Sequence, residues 1–393
     1  MDDARRAMLA AISPLPAEHV ALDEGLGRVL CQAVRAVRDQ PPFAVSAMDG
    51  YAVRSADTPG VLRLAGESAA GHGFDGVCGM GEAIRISTGA AVPGGADAVV
   101  IQENVTRDGE DVRVPPAAPH SNVRARGGDF AAGDVLLVPG TVLDGAALAL
   151  AASSGVASLA VARRPRVAIL SSGDELAAPG SVPGPWQIFD SVTFGVAGLI
   201  RQWGACPRRL AVERDDAAAI ARAAGQVLTD SDLLVVIGGA SVGDHDHARP
   251  ALRQLGLSLA VEKVAMRPGK PTWFGTTPHG PVLGLPGNPA SALVCAHLFL
   301  GPLLAAMLGR APQPVFRRAR LTRALAANGP REHYLRARWD SDAEGRLTAR
   351  ACNDQDSSLI SVFTTANALI RLPPSAPALA PGAVIDMLML GGA

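Results

Sequence analysis

The chain has 393 residues, 48% of them apolar, and a formal net charge of −1. That length supports roughly two to four domains with real cores, and aromatics at 4% mean those cores are built from Ala, Val and Leu. A balance so near neutrality argues against a wide electrostatic nucleic-acid footprint and leaves only local basic clusters.

Asp3 to Ile12 has helical spacing, and Ser13-Pro-Leu-Pro ends it. Ala21 to Cys31 is spaced like a second helix, with Asp23 as its N-cap, and Pro41-Pro42 then forces an extended stretch from Phe43 to Tyr51. From Val53 to Val142 short apolar runs (62–64, 83–86, 98–101, 112–114, 135–138) alternate with Gly, Pro, Asp and Asn, the texture of a small all-β unit. Leu143 to Ser153 turns helical again and Val156 to Ala162 reads as a strand. The predicted organisation is a helical framework (1–52 and 143–165) with a small β domain (53–142) inserted in it.

Arg163-Arg-Pro-Arg166 reads as a linker, after which strands and helices alternate. Predicted strands cover 167–170, 209–212, 233–237, 259–264, 272–274 and 282–285. Predicted helices cover 191–204, 216–228, 248–255 and 289–308. This pattern predicts a doubly wound, mostly parallel α/β domain over 166–311. Beyond Pro312-Gln-Pro314, five short strands (317–325, 332–339, 347–350, 368–372 and 383–390) predict a small β-barrel over 312–393. The fold class is therefore multidomain α/β.

The five cysteines (Cys31, Cys78, Cys206, Cys295, Cys352) are scattered and form no CxxC pair, which suits reduced thiols in the cytoplasm. The N-terminus carries acids and no signal-type apolar region. The most apolar long window, Leu143 to Ala162, is Ala-rich and holds Asp144, so no membrane span is expected there.

Three motifs fall after predicted strands, where open α/β sheets bind ligands. In Ser171-Ser-Gly-Asp-Glu175, hydroxyls and the Gly173 amide can take a phosphate, while Asp174 and Glu175 can hold a cation. In Gly238-Gly-Ala-Ser-Val-Gly-Asp-His-Asp246, Gly238 and Gly239 let a ligand approach the backbone. Asp244 and Asp246 in the same loop offer hard oxygens suited to Mg²⁺. His245 and His247 lack the Cys or third His of a usual zinc site. The third motif pairs Arg267-Pro-Gly-Lys-Pro271 with Leu285-Pro-Gly-Asn-Pro-Ala-Ser291. It sets Lys263, Arg267 and Lys270 beside stiff turns, and Ser291 in the first turn of a helix, as an oxyanion or phosphate grip requires. Anion grips beside a carboxylate loop point to phosphoryl or nucleotidyl chemistry.

Together with Ser46-Ala-Met-Asp-Gly-Tyr-Ala52, Ile86-Ser-Thr-Gly-Ala90, Gly95-Ala-Asp-Ala-Val-Val100 and Arg124-Ala-Arg-Gly-Gly-Asp129, these motifs run in order along nearly the whole chain. In that order they resemble the MoeA family of molybdopterin molybdenumtransferases, relatives of the gephyrin E domain. The resemblance implies a MogA-like α/β domain, a homodimer, and insertion of molybdate into adenylylated molybdopterin with release of AMP and the help of Mg²⁺. By motif match, Asp190, Asp246, Asp244 and Glu175 would serve the cation and the nucleotide-pterin, beside Ser172, Gly173, Gly238, Gly239 and Ser241. Lys263, Arg267, Lys270, Pro271, Ser291, Arg336 and Ser357 would take phosphate or molybdate. Asp49, Thr88, Arg124 and Asp129 would reach the cleft of the other subunit. Three positions depart from the family pattern: Arg267 for the usual Lys, Ala240 for Val, and Val192 for Asn. Two other readings differ in chemistry: adenylyl transfer to the same pterin, which would need only the α/β unit, and a gephyrin-like scaffold without turnover. Transient contact with the adenylyltransferase is a further expectation, and neither nucleic acid nor membrane is an expected partner.

Overall fold

A computed structural model describes residues 1–238 and 247–391. It divides into two compact units, one formed by 1–18 and 162–393, the other by 19–161.

In the 19–161 unit, a six-stranded sheet runs in the order Ala98–Ile101, Gly50–Val53, Glu82–Ile86, Gly60–Ser68, Asp111–Val114, Thr106–Asp108. Only Gly60–Ser68 and Glu82–Ile86 pair in parallel. Alternate residues feed its two faces: Tyr51, Val53, Ala83, Ala98 and Val100 lie in one buried cluster, and Ala52, Ile84, Ile86 and Val99 in another. That is the period-2 burial expected of strands. A third cluster packs the helix Gly145–Ser153 through Ala147 and Ala151 against Val20, Leu30, Leu159 and Val161. Asp144 caps that helix, its Oδ1 accepting from the Ala147 amide at 2.8 Å.

One expectation fails in this unit. Residues 21–31 form no α-helix: a short 3₁₀ turn, Leu22–Glu24, is followed by bridges from Val29 to Val142 and Leu30 to Val161. Gly25 and Gly27 explain it. Gly27 sits at φ 71°, and a Cβ on Gly25 would lie 2.7 Å from Leu148, so the backbone turns where helical spacing alone would carry it on.

In the other unit, a six-stranded sheet has the order Cys206–Arg209, Arg166–Ser171, Leu233–Ile237, Gly280–Leu285, Trp273–Thr277, Ser258–Val261. The first four strands are parallel and the last two antiparallel. The predicted strand at 209–212 is displaced to Cys206–Arg209, because its register is set by the neighbour, which pairs Arg166 with Cys206 and Ile169 with Arg209. Helices Val192–Gln202 and Pro289–Met307 cover one face with Val167, Ile169, Val235 and Leu283. Helices Ala217–Leu228 and Ala248–Gln254 cover the other with Ala168, Leu170, Leu234 and Val236. From Arg166–Ser171 the chain crosses one face to an outer strand, then the other face to Leu233–Ile237. The strand order reverses between those two central strands, which is a topological switch point.

Pro289–Met307 is long and apolar enough to cross a membrane by composition, but 72% of its most apolar 18-residue window is buried. The expected linker 163–166 is tied down instead: the Arg163 guanidinium pairs with Asp232 at 2.6 Å, and its amide donates to Pro16 O. The C-terminal strands Glu332–Ser341, Leu347–Ala351, Phe316–Leu321, Val384–Met389 and Ala368–Leu372 close into a five-stranded barrel, the first pairing with the last. A short strand, Met266–Arg267, joins it in parallel, opposite Glu332 and His333. The cationic turn is thereby fixed to the barrel.

Candidate active site

The carboxyl ends of the two central strands open into a cleft of about 690 Å³. Its wall includes Ser171, Ser172, Glu175, Asp190, Asp215 and Gly238, with Pro271 and the turn 286–289 opposite. Ser171 and Ser172 are buried, and neither hydroxyl has a hydrogen-bond partner among the described residues. A buried hydroxyl without a partner is unfavourable by about 1–3 kcal/mol, so these groups are the part of the wall a polar ligand would satisfy. Gly238, at φ 84°, adopts a conformation few side-chain-bearing residues tolerate, and a Cβ there would meet Ser172 O at 3.1 Å.

Asp190 is 5% exposed. Its carboxylate accepts from the Thr193 amide at 3.2 Å and the Thr193 hydroxyl at 2.5 Å, at the start of helix Val192–Gln202. Two accepted bonds leave lone pairs for a cation or a further donor. Glu175 is exposed, with its carboxylate folded over Gly173, which lines an adjoining hollow with Asp174 and Glu213.

Lys263, Arg267 and Lys270 are exposed, and none has an ion-pair partner among the described residues. The turn that carries two of them is rigid. The Val264 amide donates to Lys270 O at 3.1 Å, and Gly269 sits at φ 110°, where a Cβ would be 2.3 Å from Cys295 Sγ. His333, beside Arg267, is held neutral: burial and the charges of Arg267 and Arg331 push it down to about 4. Ser291 is buried in the first turn of the helix that begins at Pro289.

Arg336 has a different geometry from an open anion contact. It is 2% exposed and donates to Leu359 O at 2.9 Å, Asp356 O at 2.8 Å and Asp354 O at 3.3 Å. The loop it clips returns to the cleft. Ser357 O accepts from the Ala290 amide at 3.0 Å, Ser357 Oγ from Asn288 Nδ2 at 3.2 Å, and Ser358 lines the wall.

In the other unit, Asp49 accepts from the Thr88 amide at 2.6 Å and its hydroxyl at 3.0 Å, bonds that hold its carboxyl below its ordinary range. Arg124 and Asp129 are exposed; Arg124 lies on a short strand paired with Val45–Ser46, and the Asp129 amide donates to Gln40 O. Gly239, Ser241, Asp244, His245 and Asp246 lie outside the described residues.

The structure thus gathers Ser172, Glu175, Asp190, Gly238 and Pro271 in one cleft wall. Sequence reasoning missed Asp215, Asn288 and Ser358 there. The Arg214-Asp-Asp216 run before a helix is a readable signal for Asp215, Asn288 stands inside the 285–291 motif without being singled out, and Ser358 shows no signal of its own.

Three family profiles match the chain: MoeA N-terminal region (domain I and II) over residues 1–155, Probable molybdopterin binding domain over 168–306, and MoeA C-terminal region (domain IV) over 318–390. The molybdopterin molybdenumtransferase of Nostoc sp. is 36% identical, covering 88% of this chain and 83% of that protein. The Haemophilus influenzae protein of the same name is 34% identical over 95% of this chain and 94% of its own. A crystal structure titled as the molybdopterin biosynthesis moea protein from Pyrococcus horikosii superposes with a TM-score of 0.85 at 30% identity, covering 99% of this chain and 98% of that one. Agreement in sequence and fold over most of the chain, together with the strand-end cleft, shows that this chain belongs to the MoeA family of molybdopterin molybdenumtransferases.

Proposed function

We propose that the chain inserts molybdenum from molybdate into adenylylated molybdopterin and releases AMP. The observation that carries this reading is one cleft wall combining buried, partnerless hydroxyls and a buried carboxylate at a switch point, with unpaired cations in the same unit. Both reactants are anionic, so holding them together requires fixed positive charge, and charge building on the departing AMP must be stabilised. Lys263, Arg267 and Lys270 supply that charge. Ser172, Gly173, Gly238, Gly239 and Ser241 orient the nucleotide-pterin, Pro271 and Ser291 shape the oxyanion grip, and the loop held by Arg336 brings Ser357 to it.

Asp190 and Glu175 offer hard oxygen donors, but no cluster of three metal-binding side chains occurs among the described residues. That donor set fits Mg²⁺, which keeps waters and leans on substrate phosphates. Asp190, with Asp244 and Asp246, would hold it, and when bound it neutralises phosphoanhydride charge.

We further propose a cytoplasmic homodimer in which each cleft is completed by Asp49, Thr88, Arg124 and Asp129 of the partner subunit, with transient contact to the adenylyltransferase and no nucleic-acid or membrane partner. The working domain division is 1–52 with 143–165, 53–142, 166–311 and 312–393. The test is AMP release from purified protein given adenylylated molybdopterin, molybdate and Mg²⁺. Loss of release in Asp246→Ala and Asp190→Ala, with unchanged folding, supports the reading. ATP consumption with unmodified molybdopterin would favour adenylyl transfer, and no turnover at all would favour a scaffold.

A further inference from the structure

The outer face of the C-terminal barrel holds a basic groove of about 500 Å³, sharing no residue with the strand-end cleft. Arg323, Arg338 and Arg350 line it. Arg338 and Arg350 are direct cross-strand partners on neighbouring antiparallel strands. Like charges placed opposite one another on a sheet face are unfavourable unless something between them is negative. Among the described residues none of these three arginines has an ion-pair partner; Arg323 reaches only Asn353 Oδ1, at 3.4 Å.

The nearby carboxylates are engaged elsewhere. Asp354 lines the groove, but its Oδ1 accepts from the Asp356 amide at 2.8 Å. Asp340 lines a neighbouring hollow of about 480 Å³ that shares Arg338 and Arg350, and its Oδ1 accepts from the Ser341 amide at 2.8 Å. Cys352 also lines the groove; burial raises the pKa of its thiol, and the nearby arginines act against that. So three arginines line a concavity with one carboxylate, that of Asp354. Planar forks of this kind recognise tetrahedral phosphoryl oxygens two at a time.

We propose that this groove is a second anion site, taking a small molecule that carries two or more linked phosphoryl groups. A single phosphate has too few oxygens for three bidentate forks, whereas a linked pair has enough for all of them. The groove is lined at Cys352–Asp354 and again at Ser361–Thr365. These segments flank the loop that delivers Ser357 and Ser358 to the strand-end cleft, so an occupant would grip both ends of that loop.

Calorimetric titration of the full chain with pyrophosphate, in Mg²⁺-free buffer of low ionic strength, tests this. The double variant Arg338→Ala/Arg350→Ala should weaken pyrophosphate binding by about tenfold or more, and inorganic phosphate should bind the parent chain more weakly than pyrophosphate. Arg267→Ala/Lys270→Ala, which leaves the groove intact, should retain the event. Unchanged binding in the first double variant overturns the proposal, as does complete loss of binding in the second. Arg338→Gln/Arg350→Gln gives the same readout should the alanine pair lower the melting temperature.

Discussion

Replacing Arg336 by Met keeps most of the buried stem and removes the guanidinium, which isolates the clip on the 354–359 loop. Two of its three bonds are short, at 2.8 and 2.9 Å to Asp356 O and Leu359 O, and the third, at 3.3 Å, is weak. Hydrogen bonds from a charged donor contribute about 1.5–3 kcal/mol each. Water can reach part of this exposed loop once it opens, so the net loss should be about 2–4 kcal/mol. The loss should stay local, because Gln355 anchors the backbone independently: its Oε1 accepts from the Arg336 amide, and its Nε2 donates to Arg336 O and Cys352 O, all at 2.9 Å.

Native-state hydrogen exchange separates loop from barrel. The Leu359 amide, which donates to Asp356 O, and the Ala290 amide, which donates to Ser357 O, should exchange roughly 30- to 900-fold faster, the factor that 2–4 kcal/mol implies, up to the global limit. Amides of the strand Ala368–Leu372, paired with the strand that bears Arg336, should keep their protection. If the barrel strands lose protection while Ala290 and Leu359 do not change, Arg336 stabilises the barrel and the clip argument is wrong.

Gly269→Ala should destabilise the α/β unit by about 2 kcal/mol or more, since φ is 110° and the new Cβ would sit 2.3 Å from Cys295 Sγ; an unchanged denaturation midpoint would refute this. Asp144→Ala removes the acceptor for the Ala147 amide and should cost about 1 kcal/mol, read as a lower melting temperature. His297, packed against Trp203 and Phe363, is pushed by burial from the ordinary 6.5 down to about 4. A base that is harder to protonate when folded leaves stability intact above 6.5 and erodes it as pH falls toward 4. Urea midpoints measured across that window should fall with pH, and His297→Phe should make the fall shallower; an identical slope would show that other groups control it.

Sequence was most legible where burial on both sides of an element leaves little choice. The predicted strand 233–237 has the bounds the structure gives, because five consecutive Leu, Val and Ile residues in the centre of a parallel sheet are buried on both faces. The outer strand Cys206–Arg209 was misplaced for the opposite reason. Its residues are largely exposed, and the more apolar Leu210-Ala-Val212 follows it on a strand path that continues irregularly, with the Leu210 amide donating to Ile169 O and the Glu213 amide to Ser171 O. Local hydrophobicity does not encode which neighbour an edge strand will follow.

The same distinction governs the site. Ser172 and Gly238 could be picked out because each stands in a turn directly after a strand, where local sequence fixes the position, whereas Asp190 came only from the family resemblance. The geometry of Arg336 could not. Its guanidinium meets the carbonyls of residues 18 to 23 positions further along, a contact that exists only once the barrel has closed. A cation in a strand could serve a ligand or the fold, and sequence alone leaves the choice open. In this structure its guanidinium holds the 354–359 loop, and Ser358 of that loop lines the cleft.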